Sequence, residues 1–180
     1  MIDPTIKQTV EANIKLTDLS GNSAMKTIET INDTTLPENF GLGKNLDAIT
    51  EASLAQDTII ITSSLATREA SFGYKIILRG DICTVKYFSL ADENIFKINE
   101  TDKPSHLISM TCQISKLTLS HNPQFKTGEL IEGVVELTTN DFWSTIDGQN
   151  NKVKVRLTGY FKTKLSKDRP NEQSVFRQIQ

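Results

Sequence analysis

Three short runs carry the residue types of acyl-transfer chemistry: Ser23-Ala24-Met25-Lys26, Ser120-His121-Asn122 and Lys126-Thr127-Gly128. A serine at a helix start with a lysine one turn later supplies a nucleophile and its base partner, and S-x-N and K-T-G runs on separate elements flank the pair. That arrangement needs the second and third runs on opposite walls of a cleft. Only Pro123, Gln124 and Phe125 separate them here, so both fall in one loop. The set therefore reads as turn chemistry joining two strands.

Other fixed-letter motifs fail on similar grounds. Gly41-Leu42-Gly43-Lys44 has Glu38 where a phosphate loop needs its first glycine, and Asn45 where it needs Ser or Thr. Arg79-Gly80-Asp81 spells an adhesion tripeptide, yet Gly-Asp between two strand patterns is what a tight hairpin demands. His106 and His121 are the only histidines, and neither stands at ligand spacing from Cys83 or Cys112. The turn at 147–151 lacks the alternating carboxylates of a calcium loop. No G-x-S-x-G elbow is present. No catalytic residue, metal or cofactor is expected, and the chain leans away from an enzyme. Asn32-Asp33-Thr34 and Asn99-Glu100-Thr101 fit the glycosylation sequon, which matters only in an exported eukaryotic chain.

Composition bounds the class. The 180 residues are 37% hydrophobic and 23% charged with a formal net charge of -2, which argues against nucleic-acid binding. No apolar run approaches the roughly 20 residues of a transmembrane helix. The first residues, Met1-Ile2-Asp3-Pro4, show no leader pattern, so a cytoplasmic protein and an exported one without its leader fit equally. Cys83 and Cys112 both lie on apolar parities, which predicts two buried free thiols; a disulfide between them is the alternative and implies an oxidising compartment.

The elements that position any site are strands. The clearest alternation covers 106–164: strands at 106–120, 129–138 and 152–164, with a loop holding Trp143 between the last two. In the third strand Val153, Val155, Leu157 and Phe161 share one parity while Lys152, Lys154, Arg156, Lys162 and Lys164 share the other. Further strands are expected at 9–16, 58–63, 73–79, 82–89 and 93–99, with 25–31 ambiguous between helix and strand. The spacing of Leu42, Leu46, Ile49 and Ser53, with Ala48, Ala52 and Ala55, predicts one helix over 43–56. About eight strands without intervening helices give an all-β, mainly antiparallel fold, either a β-sandwich or a closed barrel. A single β-rich domain spans 1–165. A polar tail follows at 166–180, in which Val175, Phe176 and Ile179 allow a short docking helix.

Two exposed features remain as candidate binding residues. The basic row of Lys152, Lys154, Arg156, Lys162 and Lys164 suits a polyanion or an acidic partner, unless Glu132 and Glu136 of the neighbouring strand neutralise it. Phe142-Trp143 suits a binding platform, unless it plugs a core. These point first to a non-enzymatic binding or structural module for a protein, a saccharide or a polyanion surface. A small β-barrel carrying an apolar ligand is the second reading. An enzyme with residues scattered along the chain is the third. Exposed edge strands leave self-association open.

Overall fold

The computed structural model describes residues 1–15, 22–41, 46–67, 70–146 and 148–167. A short helix, α1 (Ile6–Ile14), precedes β1 (Ser23–Ile31), the two-residue β2 (Thr34–Thr35), a 3₁₀ turn at Glu38–Gly41, β3 (Leu46–Ala55), β4 (Thr58–Ala66), β5 (Ala70–Arg79) and β6 (Ile82–Ala91). There follow β7 (Phe96–Lys97), β8 (Leu107–Thr111), β9 (Ile114–Leu119), β10 (Leu130–Thr138), β11 (Phe142–Ile146) and β12 (Gln149–Ser166). Among these residues no helix is long and apolar enough to cross a membrane.

Pairing runs β10-β12-β1-β3-β4-β5-β6-β8, and the first strand of that series also pairs with β9. Because β8 and β9 are successive halves of one segment, 107–119, the sheet curls into a nearly closed barrel. Its staves are β1, β3, β4, β5, β6, the β8–β9 segment, β10 and β12. All pairings between staves are antiparallel except a two-residue parallel contact of Leu165 and Ser166 with Ala52 and Ser53. The expected all-β, mainly antiparallel fold is what the chain adopts.

β12 organises the wall. One edge pairs with β1 along Val153 to Phe161, while the other takes β11 and then β10. Its predicted inner row holds: Val153, Val155, Leu157 and Phe161 are all buried. With Met25, Ile59, Ile61, Tyr74, Ile76, Ile131 and Val135 they fill the middle of the barrel with side chains. Gly159 lies on the same inner row because Tyr74 occupies its side-chain space; a Cβ there would lie 2.3 Å from the ring. A hydroxyl cluster sits beside this packing, with Thr50 Oγ1 2.7 Å and Ser23 Oγ 3.0 Å from Ser63 Oγ. Burial pushes the Tyr74 hydroxyl up to about 12, so it stays neutral.

Two element expectations need correction. The segment expected as a helix over 43–56 is the strand β3 over its described part; residues 42–45 lie outside the described residues. Alanine suits a helix by itself, but here Ala48 and Ala52 face inward in register with Ser23, Ile61 and Leu165, where the opposing staves supply the bulk. Ile49, taken as a helix-face residue, lies on the outer surface and is half exposed. Tertiary pairing overrides propensity. Conversely, the expected strand at 9–16 is largely α1. Ile6, Val10 and Ile14 recur every four residues, and only Val10 is fully buried, against the outer wall. The Asp3-Pro4-Thr5 turn starts this helix, with Asp3 Oδ1 accepting from the Thr5 amide at 2.9 Å and its hydroxyl at 2.7 Å.

Smaller corrections follow. The ambiguous 25–31 is strand β1, 93–99 shrinks to β7, and Trp143 lies in strand β11 rather than in a loop. The third strand, expected over 152–164, is longer, 18 residues from Gln149 to Ser166. The docking helix around Val175, Phe176 and Ile179 lies outside the described residues.

Candidate functional site

The long strand expected at 106–120 breaks at its middle, and the break leaves an opening in the wall. From Leu107 to Thr111 the segment pairs with β6. The Cys112 amide makes the last link, donating to the Val85 carbonyl at 3.2 Å. The next amide, of Gln113, donates instead to Thr138 at 2.9 Å, and the chain departs along β10. Beyond that point the outer edge of β6, residues 82–84, has no strand partner among the described residues. The facing edge of β9 is half covered by residues 1–3. Leu119 donates to the Met1 carbonyl at 3.0 Å, and the Asp3 amide donates to the Leu119 carbonyl at 2.8 Å.

Between these two edges lies a cavity of about 450 Å³. Leu78 and Cys83 of the β5–β6 hairpin form one wall; Leu117 and Leu119 of β9 form the other, and Phe125 reaches in from the β9–β10 loop. Met1 and Ile2 of the chain start also line it, as do the polar Asp81, Lys116 and Asn122. Lys116 is held 3.2 Å from Glu136. Ile82, next to Cys83 in the chain, is 67% exposed.

The structure corrects the cysteine expectation. Both thiols are free, but Cys83 is exposed and lines the cavity, while Cys112 is only half-buried and packs against the core from the strand end where the segment leaves β6. Burial raises Cys83 and carries Cys112 up to about 11, so neither is a thiolate at neutral pH. Nucleophilic cysteine chemistry therefore has no support.

The loop from Ser120 to Glu129 holds two of the three acyl-transfer runs, while Ser23 begins strand β1 instead of a helix. The loop has a polar relay of its own. Ser120 Oγ lies 3.0 Å from His121 Nδ1, and His121 Nε2 lies 3.1 Å from Glu129 Oε1. A serine, histidine and carboxylate in series invite a hydrolytic reading. Ser120 is only 3% exposed, however, so in this arrangement its hydroxyl is turned away from solvent. Glu129 also accepts from the Gln124 amide at 2.9 Å and the Lys126 amide at 3.4 Å. The carboxylate ties the loop together.

The structure leaves every sequence candidate except Phe142 on the outer wall, and none of them lines the seam cavity. Lys152 and Lys154 converge on Asp141 at 2.8 and 2.9 Å. Their ammonium groups hold that carboxyl below its ordinary range. Lys162 sits between Glu11 at 3.0 Å and Glu132 at 3.1 Å, which raises its own value. Glu132 is the partner expected from the neighbouring strand, whereas Glu136 pairs with Lys116. Arg156 and Lys164 point outward without an ion pair among the described residues. Phe142 and Trp143 separate: Phe142 plugs the barrel end, its ring stacked 6.2 Å from Tyr87 and edge-on to Phe96, while Trp143 is half-buried on the other side of β11.

The seam residues carried a signal in the sequence. Inward side chains are even-numbered through Ile108, Met110 and Cys112, then odd-numbered through Ser115, Leu117 and Leu119. A parity switch inside one strand pattern marks a bulge, where a strand bends away from its partner. The same switch, from Val135 and Leu137 to Phe142, marks the bend between β10 and β11 at Thr139. Among the described residues no group of three or more His, Cys, Asp or Glu side chains could hold a metal ion. Comparison with protein-family models, with curated proteins and with solved structures finds no match to this chain.

Proposed function

We propose that this chain is a non-enzymatic binding barrel that takes a small apolar or amphipathic ligand into the seam between β6 and β9. The observation that carries this reading is the seam cavity: its volume of about 450 Å³ falls within the size of ordinary small-molecule sites. Leu78, Leu117, Leu119 and Phe125 line it together with Asp81, Lys116 and Asn122, a mixed lining that suits an apolar body with a polar end. The outer basic row supports a polyanion surface less well, because Asp141, Glu11 and Glu132 already engage three of its five cations.

Titration with 11-(dansylamino)undecanoic acid tests the proposal. The wild-type chain should raise and blue-shift the dansyl emission with micromolar affinity. Leu117→Trp, which fills the cavity from one wall, should weaken binding by at least about tenfold, or 1.4 kcal/mol. Unchanged emission with the wild-type chain, or equal binding by the filled variant, counts against the site. Loss of binding on Trp143→Phe would move the ligand to the outer face of β11.

A further inference from the structure

We infer that Phe125 is a gate on the seam cavity and that the Glu129 carboxylate is its latch, an inference that rests on the proposed ligand site. Three observations on different atoms meet here. First, Phe125 lines the cavity and packs against the core with its ring, so it occupies space that an entering ligand must pass or take. Second, its backbone is left-handed, with φ of 57°. For a bulky residue this conformation is costly and persists only where the surroundings enforce it. Third, what enforces it is identifiable. Glu129 accepts from the amides of Gln124 and Lys126, the two residues that flank Phe125, and from His121 across the loop.

Both ends of the loop are anchored by backbone bonds, the first where Ser120 donates to Glu132 at 3.0 Å. On the far side Gly128 donates to Leu165 at 2.7 Å, and Leu165 donates back to Glu129 at 2.8 Å, which ties the base to β12. Gly128 itself has φ of 85°, a conformation glycine adopts without strain, so the hinge side of the loop carries none of the strain stored at Phe125. Opening would relieve the strain at Phe125 and break the bonds to Glu129. A strained closed form held by one carboxylate lies close in energy to an open one, and a ligand that needs the ring's space shifts the population toward opening.

Stopped-flow binding of 11-(dansylamino)undecanoic acid to the whole chain separates gate from site. Glu129→Gln weakens the charge-assisted latch and should speed association about tenfold with release little changed, so that Kd tightens by a similar factor. Phe125→Gly keeps the latch, accepts the positive φ without strain and removes the ring, so it should also speed association. In Glu129→Gln, hydrogen exchange at the Gln124 and Lys126 amides should rise while the Leu119 amide stays slow. Probe binding with unchanged rates in both variants overturns the gate and leaves the site standing. Failure of the wild type and both variants to bind the probe overturns site and gate together. Should Glu129→Gln also loosen Leu119, the Phe125→Gly rate decides alone: faster association supports the gate, an unchanged rate overturns it.

Discussion

Around Gly159 the barrel wall is sealed, and between β6 and β9 it is open, although both stretches present apolar side chains inward and polar ones outward. At Gly159 three staves run in register, with Met25 and Val135 directly opposite on either side, and the Tyr74 ring fills the space above. At the seam one segment leaves β6 after Cys112 to join β10. Backbone pairing, not side-chain hydrophobicity, separates packed core from cavity. Leu117 at the seam and Leu157 in the sealed wall both face inward, but only Leu157 has staves hydrogen-bonded on both sides to close over it.

By this contrast, removing inward apolar side chains should cost very different amounts at the two places. Phe161→Ala, in the sealed region beside Tyr74, should cost about 4 kcal/mol, since the site cannot collapse around the void. Leu117→Ala at the seam should cost nearer 1 kcal/mol, because its surroundings are already partly open. Urea unfolding of both variants measures the gap, and equal losses would erase the distinction. Gly159→Ala sharpens the same point by adding volume instead of removing it. Its Cβ would meet the Tyr74 ring at 2.3 Å, and a loss of about 3 kcal/mol is expected. The smallest effect belongs to the outer wall. Asp141→Asn should cost under about 1 kcal/mol, as its carboxylate pairs with Lys152 and Lys154 in solvent. Because those cations hold Asp141 below its ordinary value of 3.8, the stabilisation is present above that pH and is lost as pH falls through the lowered folded value. Wild type and variant should therefore converge in stability in strongly acidic buffer, and a difference that persists there would contradict the assignment.

Sequence alternation determined a good deal by itself. The all-β class, the inner row of β12 and the outward basic row follow from a two-residue period that no helix reproduces, and the single-loop placement of Ser120 to Gly128 follows from spacing alone. Local propensity misled where tertiary pairing outvoted it. Ala48 and Ala52 look helical in isolation and become strand residues because bulky side chains on other staves fill the space they leave. Phe142 and Trp143 are adjacent in sequence, yet the strand puts one in the core and the other outside.

The seam lay beyond the sequence for a different reason. Each of its walls was legible as an inward row, and the parity switch between Cys112 and Ser115 was there to be read. What no alternation encodes is which strand each half of 107–119 pairs with, since that depends on where β6 and β10 lie after the sheet has curled. The faces of the strands were set by the order of residues along the chain. The cavity between them, and the placing of Phe125 and Glu129 across it, were decided only when distant strands closed into a barrel that does not quite meet.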